Sequence, residues 1–232
     1  MLTRYDAARL GTSDLGWLRS RFHFSFAGYH DPARVRFGVL RVVNDDLVEP
    51  GTGFDTHLHR DMEIVSYVID GELTHGDSMG NRNTLSRGHV QYMSAGTGVL
   101  HSEHNLGDPT LRFLQIWIFP DEKGLAPAYG DHRFDPDARR DRWLTLVSGP
   151  GGDAPIKLHQ DVHIRALELG AGREMALPVA PGRQAYLVQI EGASEANGVE
   201  LGERDGLEIV GEDVVLTARE TSHFLVIEMP EG

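Results

Sequence analysis

Gly51-Thr52-Gly53-Phe54-Asp55-Thr56-His57-Leu58-His59-Arg60-Asp61-Met62-Glu63 opens the stretch that decides the fold. Gly88-His89-Val90-Gln91-Tyr92-Met93-Ser94-Ala95-Gly96-Thr97-Gly98-Val99-Leu100-His101-Ser102-Glu103-His104-Asn105 closes it. His57 and His59 stand two apart, and alternate residues of a strand share a face. His101 and Glu103 repeat that spacing. Between the pairs lie the β-rich run 64–69, glycine-marked turns and a second apolar run. That is enough chain to bring both pairs onto strands of one barrel. Three imidazoles and one carboxylate converging inside it predict a metal site.

Composition narrows the chemistry further. The 232 residues contain no cysteine, which removes disulfides, thiolate ligands and a cysteine nucleophile together. Histidine and carboxylate remain as ligands. Twenty-seven glycines and eleven prolines suit a chain of many turns. A formal charge of −13 argues against a direct grip on nucleic acid, which needs a basic patch. Residues 1–20 lack the basic and apolar regions of a secretory signal. No apolar run reaches the ~20 residues of a membrane-spanning helix. A cytoplasmic protein is the expectation.

Outward from the central stretch, Phe22, Phe24 and Phe26 alternate with His23, Ser25 and Ala27, as on a strand with one aromatic face. His23 is expected to face solvent or a loop. Residues 38–43 read as a further strand, and Asn44-Asp45-Asp46 as a turn, because such side chains bond nearby backbone. Residues 74–83 form a polar hairpin in which His75 is expected at the surface. Residues 111–119 read as a buried strand with Gln115 and Trp117 facing a pocket. Residues 120–142 break every period and read as the domain connection, with Arg139, Arg140 and Arg142 on a solvated face. Beyond it, Val188-Gln189-Ile190-Glu191-Gly192 echoes Tyr67-Val68-Ile69-Asp70-Gly71. Glu174-Met175-Ala176-Leu177-Pro178 occupies the place of the histidine pair. His223 survives alone near the second-pair position, and His159 and His163 have a ligand spacing only on a helix. The second half is expected to bind no metal.

The pattern resembles the cupin superfamily, and its pirin branch in particular. Gly51, His57, His59 and Glu63 match the first cupin signature. Gly88, His101 and Asn105 fit the second, with Ser94 in place of the usual proline. His101-Ser102-Glu103, Gly16-Trp17-Leu18, Phe24-Ser25-Phe26-Ala27, Asn44-Asp45-Asp46, Asp61-Met62-Glu63-Ile64 and Leu114-Gln115-Ile116-Trp117-Ile118 are similar to pirins. The resemblance implies an all-β bicupin of two jelly-roll β-barrels packed face to face. Residues 1–130 would form the metal-binding barrel and residues 131–232 a degenerate one.

For the metal, it implies His57, His59, His101 and Glu103 as ligands of one divalent ion. Iron leads, and copper, nickel, manganese, cobalt or zinc suit the same donors. Strand geometry agrees on the carboxylate: Glu103 lies ~7 Å along the strand from His101, whereas Glu63 lies ~13 Å from His59. Glu63 is left as a partner behind the ligands. Phe54, Met62, Met93 and Trp117 are expected to line a pocket for a flat aromatic molecule. The implied activity is opening of the central ring of a flavonol such as quercetin by O2, releasing carbon monoxide, with Glu103 as the base. The alternative is a metal-binding regulatory or stress protein that acts through a protein partner.

Overall fold

The structure is a computed structural model describing all residues from Met1 to Gly232. It is almost entirely strand. In chain order these are β1 (Leu2–Tyr5), β2 (Gly11–Asp14), β3 (Leu18–Phe22), β4 (Leu40–Val48), β5 (Thr52–His59), β6 (Glu63–Asp70), β7 (Leu73–Asp77), β8 (Arg82–Leu85), β9 (Val90–Ser94), β10 (Val99–Asn105), β11 (Leu111–Ile118) and β12 (Ala128–His132). The second half adds β13 (Leu144–Ser148), β14 (Ile156–Lys157), β15 (His163–Leu169), β16 (Glu174–Leu177), β17 (Arg183–Glu191), β18 (Ser194–Ala196), β19 (Val199–Leu201), β20 (Gly206–Val210), β21 (Val214–Ala218) and β22 (Ser222–Pro230). No helix is long and apolar enough to cross a membrane.

The chain divides into two compact units. One holds Gly11–Phe134 with Leu158–Gln160, and the other holds Met1–Leu10, Asp135–Lys157 and Asp161–Gly232. Each is a jelly-roll type pair of sheets rather than a closed barrel. The first unit has a seven-stranded sheet, β12-β9-β6-β11-β4-β3-β2, and a four-stranded sheet, β5-β10-β7-β8. The second repeats the plan as β1-β20-β17-β22-β15-β13-β14 and β16-β21-β18-β19. The inner order β9-β6-β11-β4 recurs strand for strand as β20-β17-β22-β15, and β5-β10-β7-β8 as β16-β21-β18-β19. This is the repeat that the echo of residues 67–71 in 188–192 announced.

The correspondence shows what fills each interior. β16 stands where β5 carries the histidine pair, and β21 where β10 carries His101 and Glu103. Their inward residues Leu177, Val214, Leu216 and Ala218 join one aliphatic core with Leu167, Leu187, Ile209 and Phe224. Burying such side chains contributes about 25 cal/mol per Å² of apolar surface. His223 lies on β22, the counterpart of β11 rather than of β10, and its Nδ1 sits 3.2 Å from Glu191 Oε2.

Several local expectations are overturned. Asn44, Asp45 and Asp46 are not a turn; they sit mid-strand in β4, paired to β3 on one side and β11 on the other. Turn propensity loses because the run from Leu40 to Val48 is held by two neighbours and Asp45 is neutralised by Arg112, at 2.7 and 3.0 Å. Regular strand stops at Phe22, and His23 is buried rather than solvent-facing. His75 is likewise buried, on β7. Arg139 is buried with its guanidinium 3.5 Å from Glu168, so only part of the arginine run is a solvated face. The irregular 120–142 segment also supplies β12 to the first unit.

Candidate metal centre

β5 and β10 pair antiparallel, so that His57 faces His101 and Phe54 faces Glu103. Between those two pairs, Asp55 and Thr56 on β5 oppose Ser102 alone. The extra residue is a β-bulge, and it turns Phe54 and His57 to the same inner face despite an odd spacing. Gly53 permits the approach: a Cβ there would lie 2.3 Å from the Glu103 carbonyl oxygen. On β10 the burial alternates strictly, with Val99, His101, Glu103 and Asn105 inside. Asn105 is structural, donating to the carbonyls of Val48 and Pro109 and accepting from Gly107.

The three imidazoles converge. Ring centroids lie 4.7 Å apart for His57 and His59, 4.5 Å for His57 and His101, and 4.8 Å for His59 and His101. His57 Nδ1 is 2.7 Å from the Asp55 carbonyl, which leaves Nε2 pointing inward, 3.1 Å from His101 Nε2. Burial, reinforced by the neighbouring imidazoles, pushes His59 down to about 4 and His101 down to about 3. Both rings are therefore neutral at pH 7 and present lone pairs.

Glu103 is gripped from the opposite sheet. Gln91 Nε2 donates to Oε1 at 2.5 Å, Ser66 Oγ to Oε1 at 3.0 Å, and Gln115 Nε2 to Oε2 at 2.7 Å. Glu103 also forms a second three-donor group with His101 and His75, whose ligand atoms all lie within 4.8 Å of one another. The histidine trio meets the same criterion.

A cavity of about 360 Å³ adjoins the cluster, lined by His57, His59 and Glu103 together with Trp17, Phe22, Phe26, Phe54 and Trp117. Trp17 meets Phe54 edge-on at 5.3 Å, and Phe26 meets Trp117 at 5.4 Å. Asn44, Asp46, Ser20 and Gln115 supply its polar side. Burial pushes the Asp46 carboxyl up to about 7; a Ser20 hydrogen bond opposes this and the charges of Asp45 and Glu103 add to it.

The expected pocket residues separate. Phe54 and Trp117 line the cavity, whereas Met62 and Met93 pack with Ile64 and Val99 in a small core against Trp117. Glu63 is fully buried away from the cavity lining. It accepts from Tyr92 Oη at 2.8 Å, Ser94 Oγ at 2.6 Å and the His159 backbone N–H at 2.9 Å. It is a clamp on the 158–160 segment and touches none of the four proposed ligands through these bonds. Sequence reasoning missed His75, Gln91, Asn44 and Asp46. For His75 a signal existed: it stands two before Asp77, the same one-face spacing as His57 and His59.

An all-β chain of two jelly-roll units, with a histidine cluster in the first and an aliphatic core in the second, is a bicupin. The family model described as Pirin matches residues 4–118, and one described as Quercetinase C-terminal cupin domain matches residues 145–229. The chain belongs to the pirin family. A pirin-like protein of Caulobacter vibrioides is 42% identical over 230 residues, covering 98% of this chain and 99% of that one. Quercetin 2,3-dioxygenase of Escherichia coli K12 is 40% identical over 232 residues, with 99% of each chain covered. Among solved structures, the bacterial pirin YhhW of Escherichia coli in complex with nickel(II) superposes with a TM-score of 0.94 at 37% identity, over all of both chains. The donor set here fits one such ion: neutral imidazole nitrogens converge and a carboxylate stands beside them.

Proposed function

We propose that the protein is a metal-dependent dioxygenase that opens the central ring of a flavonol with O2. Carbon C3 leaves as carbon monoxide and a phenolic ester remains. The observation that carries this reading is the aromatic cavity opening directly onto the histidine cluster, since a purely regulatory metal site needs no such space. His57, His59, His101 and Glu103 would hold the ion, with iron as the leading candidate. When bound, the ion supplies positive charge that favours the ionised 3-oxygen of the flavonol. Glu103 takes the proton from that hydroxyl. Gln91, Gln115 and Ser66 fix the carboxylate's position, and each can release or re-form a hydrogen bond as its charge changes. Trp17, Phe54, Phe26 and Trp117 hold the flat rings and exclude water from the electron-rich anion.

The name of the Escherichia coli relative supports the substrate class, and the nickel complex of the similar structure supports a single-ion site. The test is metal analysis of protein from its native host, paired with oxygen uptake and carbon monoxide release on quercetin. Equal consumption of quercetin and O2 with carbon monoxide formed is expected. Absence of oxygen-dependent quercetin loss with iron, copper, nickel, manganese, cobalt and zinc in turn would favour a regulatory role through a protein partner.

A further inference from the structure

His75 stands behind the cluster. β7 pairs with β10 so that His75 faces Glu103 and Asp77 faces His101. Asp77 fixes the His75 ring: its Oδ2 lies 3.1 Å from His75 Nε2. A carboxylate only accepts, so Nε2 bears the hydrogen and Nδ1 of the neutral ring is a lone pair. Asp77 is itself tied down by the backbone N–H groups of Met79 and Asn81 and by the Asn81 amide. Tyr129 covers the other side of the imidazole, stacked at 4.5 Å and 17°. The ring is therefore locked in place and in tautomer. Its Nδ1 is fully buried and has no hydrogen-bond partner.

His101 presents the complementary deficit. Its Nε2 points at His57, so in the neutral ring that offers Nε2 to an ion the hydrogen sits on Nδ1. That Nδ1 is also buried with no partner. The two rings are neighbours, with centroids 5.4 Å apart and planes at 49°. One buried donor and one buried acceptor stand unpaired on neighbouring rings. A histidine that ligates a metal usually gives its second N–H to an acceptor, which sets its tautomer and raises its basicity.

We propose that His75, clamped by Asp77, is a positioning residue: it accepts a hydrogen bond from His101 Nδ1 in the metal-loaded protein and so keeps His101 Nε2 facing the ion. This rests on the metal site of the proposed function. It makes the chain ion–His101–His75–Asp77 the outward support of one ligand, much as the Asp55 carbonyl supports His57.

The experiment titrates zinc into metal-free wild type, His75→Leu and His75→Asn, and records long-range proton–nitrogen NMR of the histidines in the zinc-loaded wild type. Wild type should show His101 with a protonated Nδ1 and a zinc-bound Nε2, and His75 with a protonated Nε2 and no bound zinc. His75→Leu should weaken zinc binding by about 10–100-fold. His75→Asn should recover most of that, because its amide oxygen stands near the lost Nδ1. Thermal melting of the metal-free proteins checks folding; if the leucine variant does not fold, the wild-type nitrogen shifts decide alone. Zinc on His75 Nδ1, the opposite tautomer at His101, or equal affinities in all three proteins would overturn the proposal. Failure of wild type to bind zinc at all would instead strike the metal site on which it rests.

Discussion

Two buried carboxylates, Glu103 and Glu63, show how neighbours divide roles at the level of single residues. Glu103 faces the cavity and is held by side-chain amides and a hydroxyl; Glu63 is locked by Tyr92, Ser94 and a backbone N–H. Glu103→Gln should keep part of the metal, since an amide oxygen still coordinates weakly, but should lower quercetin turnover by ~10²–10⁴-fold for want of a base. Glu63→Gln should leave turnover within a few-fold and cost about 1–3 kcal/mol of stability, because its buried donors lose a charged acceptor. Rates at matched metal content and urea melts measure both, and a collapse of turnover in Glu63→Gln alone would reverse the assignment. His23 gives a pH dependence. Burial, with Arg34 adding to it and Asp45 opposing, pushes it down from 6.5 to about 3. A base depressed by folding binds its proton more readily in the unfolded chain, so its contribution is present above pH 6.5 and is lost as pH falls towards 3. His23→Gln should flatten the metal-free stability profile across that window by up to about 4 kcal/mol. Parallel profiles for the two proteins in urea titrations between pH 3 and 7 would refute this.

At the scale of strands, β5 decides whether a cluster exists. Its bulge at Asp55 and Thr56 puts Phe54, His57 and His59 on one face, and Gly53 lets it lie flat against β10. Gly53→Ala should push β5 away from the Glu103 carbonyl and weaken metal affinity by at least tenfold while the second unit melts unchanged; calorimetric titration with zinc reads the first and differential scanning the second. Unaltered zinc affinity would show that the strand pair tolerates the methyl group. What was legible here was alternation in His57 and His59 and in His101 and Glu103, and a mostly apolar run at residues 111–119, which holds the buried strand β11. Asn44-Asp45-Asp46 was not, because its local chemistry is that of a turn and only the pairing with β3 and β11, with Arg112 on Asp45, holds it extended. His23 failed because the groups that bury it, Val43 and Arg34 among them, are remote in sequence, whereas His75 failed because its spacing to Asp77 went unread. The bulge was invisible too, since two consecutive outward residues in an eight-residue strand look like noise.

For the molecule as a whole, the duplicated plan explains why only one centre is expected. The first unit gives its inner strands to a histidine and carboxylate cluster and a cavity, while the second fills the equivalent space with leucine, valine and phenylalanine. Native mass spectrometry should find one ion per chain, lost on His59→Ala, and none retained at His159, His163 or His223. A second equivalent at His163 or His223 would show that the second unit still binds metal, and one at His159 that the first unit holds two sites. Loading should raise stability by ~2.7 kcal/mol at a hundredfold excess over Kd, and calorimetry should place the gain in the transition of the first unit alone. The echo between residues 67–71 and 188–192 revealed the repeat, and Glu174-Met175-Ala176-Leu177 its lost ligands. The exchange of short segments between units left no trace in composition.

That exchange governs how the protein is made. β1 pairs with β20, so Leu2 meets Ile209 and Tyr5 meets Gly206. β1 leaves the ribosome well before β20 and must wait, unpaired, until that strand has been synthesised, whereas most strands of the first unit can find one another as they emerge. An edge strand left open for that long is a point where a nascent chain invites aggregation. Slowing translation late in the message, or fusing a bulky partner to Met1, should therefore reduce the yield of soluble protein while leaving the metal content of the surviving molecules unchanged.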